Sequence, residues 1–153
     1  MQNEKSIAVL NTLIEINNDR IEGYRTAFRQ TNEEDLRSLF SRLGRTSQKC
    51  KAELVQEVNR LGGTPIQGTR NTGKVFRLWM DLKLTLTGKD RNAILDSCEY
   101  GEDVATNIYN TAIIERTNVL TIIQKKMISD QCRMITSDHD KIKQERYTVL
   151  LDK

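Results

Sequence analysis

Apolar residues open the chain in steps of three and four: Ile7, Leu10, Ile14, Ile21, Tyr24 and Phe28. That spacing lines one stripe of a helix and predicts a bundle helix over about 4–28. The stripe is broken at Asn17, with Glu15 and Glu22 beside it. A second helix is predicted over about 33–61, with Leu36, Phe40, Leu43, Cys50, Leu54 and Leu61 on one face and breaks at Ser47 and Glu57. Thr31 or Asn32 can cap it, and the acids at 33–35 suit the positive end of the helix. Gly62 and Gly63 end it, with Pro65 just beyond.

A turn-rich connector follows over 64–73, then a short helix over about 74–86 with Val75, Leu78, Trp79, Leu82 and Leu86 on one side. Thr87 and Gly88 close it, and Asp90 can cap what comes next. A third long helix is predicted over about 91–114, on Ile94, Leu95, Cys98, Ala105, Ile108, Tyr109 and Ala112. A fourth is predicted over about 118–150, on Val119, Ile122, Ile123, Met127, Met134, Ile135 and Ile142. Tight turns make the first and last pairs antiparallel. The central link of about 30 residues is long enough to run the length of the bundle. The fold class expected is all-α: a ferritin-like four-helix bundle with a long crossover carrying a short extra helix.

Counting outward from the turns brings the seam breaks together. Asn17, Ser47, Glu102 and Gln131 fall near one layer. Glu22, Glu99 and either Thr136 or His139 fall about a turn away. Gly23, Gly44 and Gly101 lie at similar heights, each costing about 1 kcal/mol against Ala inside a helix. They suggest close helix approach or space for something. A buried carboxylate must be paired, protonated or bound to a cation. Two readings follow: a hydrogen-bonded polar layer that sets helix register, or a metal site from Glu22, Glu99, Glu102 and His139. A full di-iron set needs a Glu from each of two helices and Glu-x-x-His from the other two. The chain has a single His, preceded three residues earlier by Thr136, and Glu53 is followed by Gln56.

Composition narrows the classes. The 153 residues fit one domain, 1–153, with a real core. The net charge of +3 is spread over interleaved Lys, Arg, Asp and Glu, which gives no footprint for nucleic acid. No apolar run approaches membrane-spanning length. Cys50, Cys98 and Cys132 are scattered and odd in number, and no signal peptide is evident, so a reducing cytoplasm is expected. There is no phosphate loop, nucleophile elbow or zinc-finger spacing.

The segments LNTLIEINNDRIEGY, AELVQEVNRLGGTP and WMDLKLTLTGKDRNAILDSCEYGEDVATNIY, with Gln131 and the run His139, Asp140, Lys141, Ile142, resemble an uncharacterised bacterial family. Its members carry a ferritin-like four-helix-bundle domain of unknown function. The resemblance spans nearly the whole chain, and WMDLK and GED are its most specific parts. It implies a cytoplasmic bacterial protein with a loose link to stress. It implies no established activity, substrate or cofactor. Ferritin-like relatives at large include iron stores, di-iron oxidases and proteins that have lost the metal. Thr136 and Gln56 depart from the active pattern.

The expectation is therefore a non-enzymatic structural or interaction protein, assembling as a homo-oligomer, most simply a dimer. No resident cofactor is expected. The alternative is a ferritin-like metal protein or oxidase holding a di-iron or single transition-metal centre on Glu22, Glu99, Glu102 and His139.

Overall fold

The computed structural model describes residues 2–68 and 91–151. Its long helices are α1 (Gln2–Gln30), α2 (Glu34–Arg60), α3 (Arg91–Glu115) and α4 (Ile122–Leu151), with a 3-10 turn at Thr117–Val119. The architecture is an all-α four-helix bundle. The short helix expected over 74–86, with Trp79 and Met80, lies outside the described residues.

Local chemistry sets the helix ends. Gly62 takes φ +81°, and the Gly63 N–H reaches back to Val58 O while Gly62 N–H reaches Asn59 O. These two bonds satisfy carbonyls left open at the end of α2, and the left-handed residue between them favours glycine. Gly63 must also be small, because a Cβ there would sit 2.8 Å from Ile7 Cδ1. The fourth helix begins later than expected. After the 3-10 turn, Thr121 Oγ1 accepts from the Gln124 N–H, and Gln124 Oε1 accepts from the Thr121 N–H. This T-x-x-Q capping box fixes the true start of α4.

Side-chain bonds between helices give their directions. Ser6 donates to Val119 O, and Arg20 meets Asp138, so α1 and α4 run parallel. Gln124 meets Glu57 while Gln131 meets Glu53, so α4 runs against α2. Asn17 meets Tyr109 while Arg20 meets Glu102, so α1 runs against α3. Hence α2 and α3 are parallel, and the 30 residues between Arg60 and Arg91 cross from one end of the bundle to the other. The crossover begins along α1: Asn11 bonds Thr64 O and the Ile66 N–H, and Asn18 donates to Gly68 O. At the far end Arg91 joins the starts of α2 and α3 to the end of α4, through Asp35, Glu33 and Glu145.

The core runs down the middle of the four helices. In α2 it comprises Leu36, Leu39, Phe40, Leu43, Cys50, Leu54 and Val58; Leu61 packs against its edge, and Glu57 sits at the margin. The buried stripe of α3 is close to the expected one, with Ile108 at its edge. The stripe of α4 matches the expected one only in part: Ile135 and Ile142 are buried and Met127 packs against the core, as expected, but the first turn does not face inward. Ile122 and Ile123 are 83% and 82% exposed, and the inward face carries Ile128, Ile135 and Ile142. Before, between and after those isoleucines come Gln124, Gln131, Asp138 and Glu145, one polar residue every heptad. The apolar count merges two faces, Ile135 and Ile142 inward and Ile122 and Ile123 outward, because α4 carries two stripes, one of them half polar. The α2–α4 seam is the most open of the bundle, and Gln124 and Gln131 tie it through Glu57 and Glu53.

Candidate functional site

The centre of the bundle holds an arginine. Arg20 on α1 has no exposed side-chain surface. Its Nε donates to Glu102 Oε1 at 2.6 Å and its Nη2 to Glu102 Oε2 at 2.9 Å, a two-pronged clamp on α3. The same Nη2 lies 3.2 Å from Asp138 Oδ2 on α4, and Nη1 donates to Ser47 Oγ on α2. One guanidinium thus reaches all four helices. The Tyr24 ring lies under it, 5.6 Å from Cζ to centroid, and stacks on Phe40.

Electrostatics follow from this packing. Burial works against the charge on Arg20, but Glu102, Tyr24 and Asp138 outweigh it and hold the guanidinium protonated. Burial pushes the Asp138 carboxyl above its ordinary range; Arg20 opposes that shift and Glu102 adds to it. Lys141, half-exposed, stands 3.9 Å from the other Asp138 oxygen and leads out to solvent. Burial also lifts the Tyr24 hydroxyl, and the Glu102 charge reinforces it, so Tyr24 stays neutral.

About one turn away lies a second layer without a full charge at its heart. Asn17 Nδ2 donates to Tyr109 Oη at 2.8 Å, and Tyr109 Oη donates to Gln131 Oε1 at 2.7 Å. Gln131 Nε2 then donates to Glu53 Oε1 at 2.9 Å and to Cys50 O at 3.3 Å. The chain of bonds runs from α1 through α3 and α4 to α2. Burial pushes the Cys50 thiol up to about 12, so it behaves as a small core residue.

The four residues considered for a metal do not converge. Glu22 is on the outside of α1, half-exposed and paired with Arg25 at 3.1 Å. Glu102 is wholly buried with both oxygens on Arg20. His139 lies at the α3–α4 surface, with Nε2 on Asp103 and Nδ1 3.7 Å from Asp140. Glu99 is half-buried on α3, one turn before Asp103. Among the described residues no three His, Cys, Asp or Glu side chains gather in a way that could hold a metal ion. Asn17, Ser47, Glu102 and Gln131 do lie centrally, but in two layers: Arg20 joins Ser47 to Glu102, and Tyr109 joins Asn17 to Gln131.

Apolar periodicity does not single out Arg20 or Asp138. Each stands next to a more conspicuous residue, Ile21 and His139. Spacing was the available signal: Arg20 is three residues after Asn17 and four before Tyr24, and Asp138 continues the series Gln124, Gln131.

The fold and this centre define a class: a four-helix bundle with one long crossover and a buried arginine–carboxylate cluster at its middle. The chain belongs to the family described as Domain of unknown function (DUF2383), whose sequence pattern matches residues 5–115. That match takes in Arg20, Ser47 and Glu102 and stops before α4. No curated protein matches the chain.

Proposed function

We propose that the protein is a ferritin-like bundle of a bacterial cytoplasm that works by assembly, as a homodimer, rather than by catalysis. One observation carries the reading: the central carboxylates already have their cation. Arg20 occupies both oxygens of Glu102 and one of Asp138. A buried acid in a guanidinium clamp has its charge already balanced, whereas an acid that holds a metal ion takes its balancing cation from the metal. The crossover that makes α2 and α3 parallel is the connection expected of ferritin-like bundles, and it supports that part of the reading. Among the described residues no helix is long and apolar enough to cross a membrane.

Light scattering of the purified chain tests assembly: twice the chain mass at tens of micromolar is expected, and a strict monomer overturns it. Elemental analysis tests the non-catalytic part. After metal-free purification, reconstitution with iron, manganese or zinc and desalting, no stoichiometric metal should remain. Retained metal that is lost in Glu102→Ala would overturn the reading.

A further inference from the structure

The outward side of α4 carries a second stripe that its own bundle uses only in part, through Met127. Ile123, Met127, Asp130, Met134, Ser137 and Lys141 follow one another in steps of four and three, the spacing of a helix–helix seam. Ile123 is 82% exposed and Ile122 beside it 83%, the two most exposed large apolar side chains described. Met127 and Met134 are half-buried, and methionine adapts readily to a second surface. This stripe borders an open groove toward α2, walled there by Thr46, Lys49 and Glu53. A second open groove lies on the α3 side of α4, reaching Ile113 and Thr136. Lys126, Asp130, Arg133 and Ser137 line both, so they form a ridge between two furrows.

From this shape and its charges we infer that α4 is the dimer surface and that its partner is α4 of a second copy, packed antiparallel across a two-fold axis level with residues 128 and 129. The inference rests on the assembly reading above and names its interface. A ridge flanked by two furrows is complementary to itself, since each ridge enters the other's groove. The chemistry is self-complementary too. An antiparallel copy on that axis sets Ile123 opposite Met134 at both ends of the contact. It brings Lys126 of each chain within reach of Asp130 of the other. Lys126 already spans one turn to Asp130 on its own helix, at 3.0 Å, so exchange between copies preserves a pair that exists. A two-fold axis requires this reciprocity, in which each residue meets its counterpart's partner.

Sedimentation of wild type and three variants tests it. Ile123→Asp should weaken the dimer at least about tenfold, because it removes one apolar anchor per copy and places a carboxylate there. The side chain is exposed in the single chain, so helix content and melting of the monomer should be unchanged. Asp130→Lys should weaken the dimer by setting Lys against Lys126. Lys126→Asp combined with Asp130→Lys should restore much of it. A monomeric wild type overturns both this inference and the assembly reading. A dimeric wild type whose Ile123→Asp and Asp130→Lys forms stay equally dimeric overturns the α4 surface alone.

Discussion

The two central layers solve the same problem with opposite means. Each joins four helices through side chains in a bundle seam. The Asn17–Tyr109–Gln131 layer does so with neutral groups, each donating to the next, and passes its last bond to Glu53 at the bundle margin. The Arg20 layer does so with full charges wholly inside. Neutral groups lose modest hydration on burial and recover it through single hydrogen bonds. Charges lose several kcal/mol each and recover it only when geometry is nearly complete. The neutral layer should therefore yield gradually to mutation. The charged layer should fail abruptly when one member is removed, yet tolerate wholesale replacement.

The largest expected effect breaks that comparison most directly. Arg20→Met leaves Glu102 and Asp138 buried with no guanidinium, and should cost about 3–5 kcal/mol in urea unfolding. Replacing the cluster as a unit, with Arg20→Met, Glu102→Leu and Asp138→Leu together, should recover most of that loss or exceed wild type by up to about 4 kcal/mol. If the triple variant is no better than Arg20→Met, the cluster is held by packing rather than by charge, and the contrast between the layers disappears.

Much of this arrangement was legible in the chain, and the failures share a cause. Helix number, their order and the parallel α2 and α3 follow from periodicity and linker length, because those depend on steps of three and four averaged over many residues. The seam breaks at Asn17, Ser47, Glu102 and Gln131 were visible for the same reason. Arg20 was not, because a charged residue beside an isoleucine is ordinarily the solvated one, and a single position shifts the helix face by 100°. Apolar spacing selects Ile21, and it is the half-buried one. The same one-residue rotation set His139 inward in place of Asp138. On α4, hydrophobicity could not distinguish the stripe facing the bundle from the one facing out. The heptad of polar residues that settles the matter is invisible to a count of apolar positions. Which partner a buried carboxylate takes is a tertiary fact: Glu102 looked equally ready for a metal until the side chain of Arg20 was placed beside it.

Smaller effects sharpen the neutral side of the comparison. Tyr109→Phe removes the hydroxyl that accepts from Asn17 and donates to Gln131, leaving two buried polar groups without their bond. The loss should be about 1–3 kcal/mol, well below that of Arg20→Met. Thermal unfolding of the two variants side by side gives the ranking, and a Tyr109→Phe cost equal to the arginine's would erase it.

A pH series distinguishes interior acid from surface acids. Asp138 has a raised pKa, chiefly from burial, so the folded state holds its proton more tightly than the unfolded chain does. Its contribution is fully present below the ordinary value of 3.8 and is lost as pH rises through the folded value. Asp138→Asn, whose amide oxygen can still accept from Arg20, should therefore gain on wild type as pH climbs from acid to neutral. Asp35 behaves with the opposite sign: its hydrogen bond to Arg91 lowers its pKa, so its contribution is present above 3.8 and fades as pH falls. Asp35→Asn should lose against wild type at neutral pH and draw level in acid. Parallel slopes for the two variants would contradict the assignment of Asp138 to the interior.

The smallest effect is the most pointed, because it separates two glutamates that look alike in the chain. Glu22 is half-exposed and pairs only with Arg25 one turn along its own helix, among the partners described. Exposed i,i+3 pairs are screened by water and hold two long side chains still for little return. Glu22→Gln should therefore change stability by no more than about 0.5 kcal/mol. Glu102→Gln, by contrast, leaves Arg20 buried with one strong acceptor fewer and should fall nearer the arginine variant. The same pair tests chemistry as well as stability. If Glu22 worked with Glu102 on a common cation, the two variants would alter the response of the melting temperature to added iron, manganese or zinc in the same way. Separate placement predicts that neither does, and that only Glu102→Gln moves the melting temperature itself.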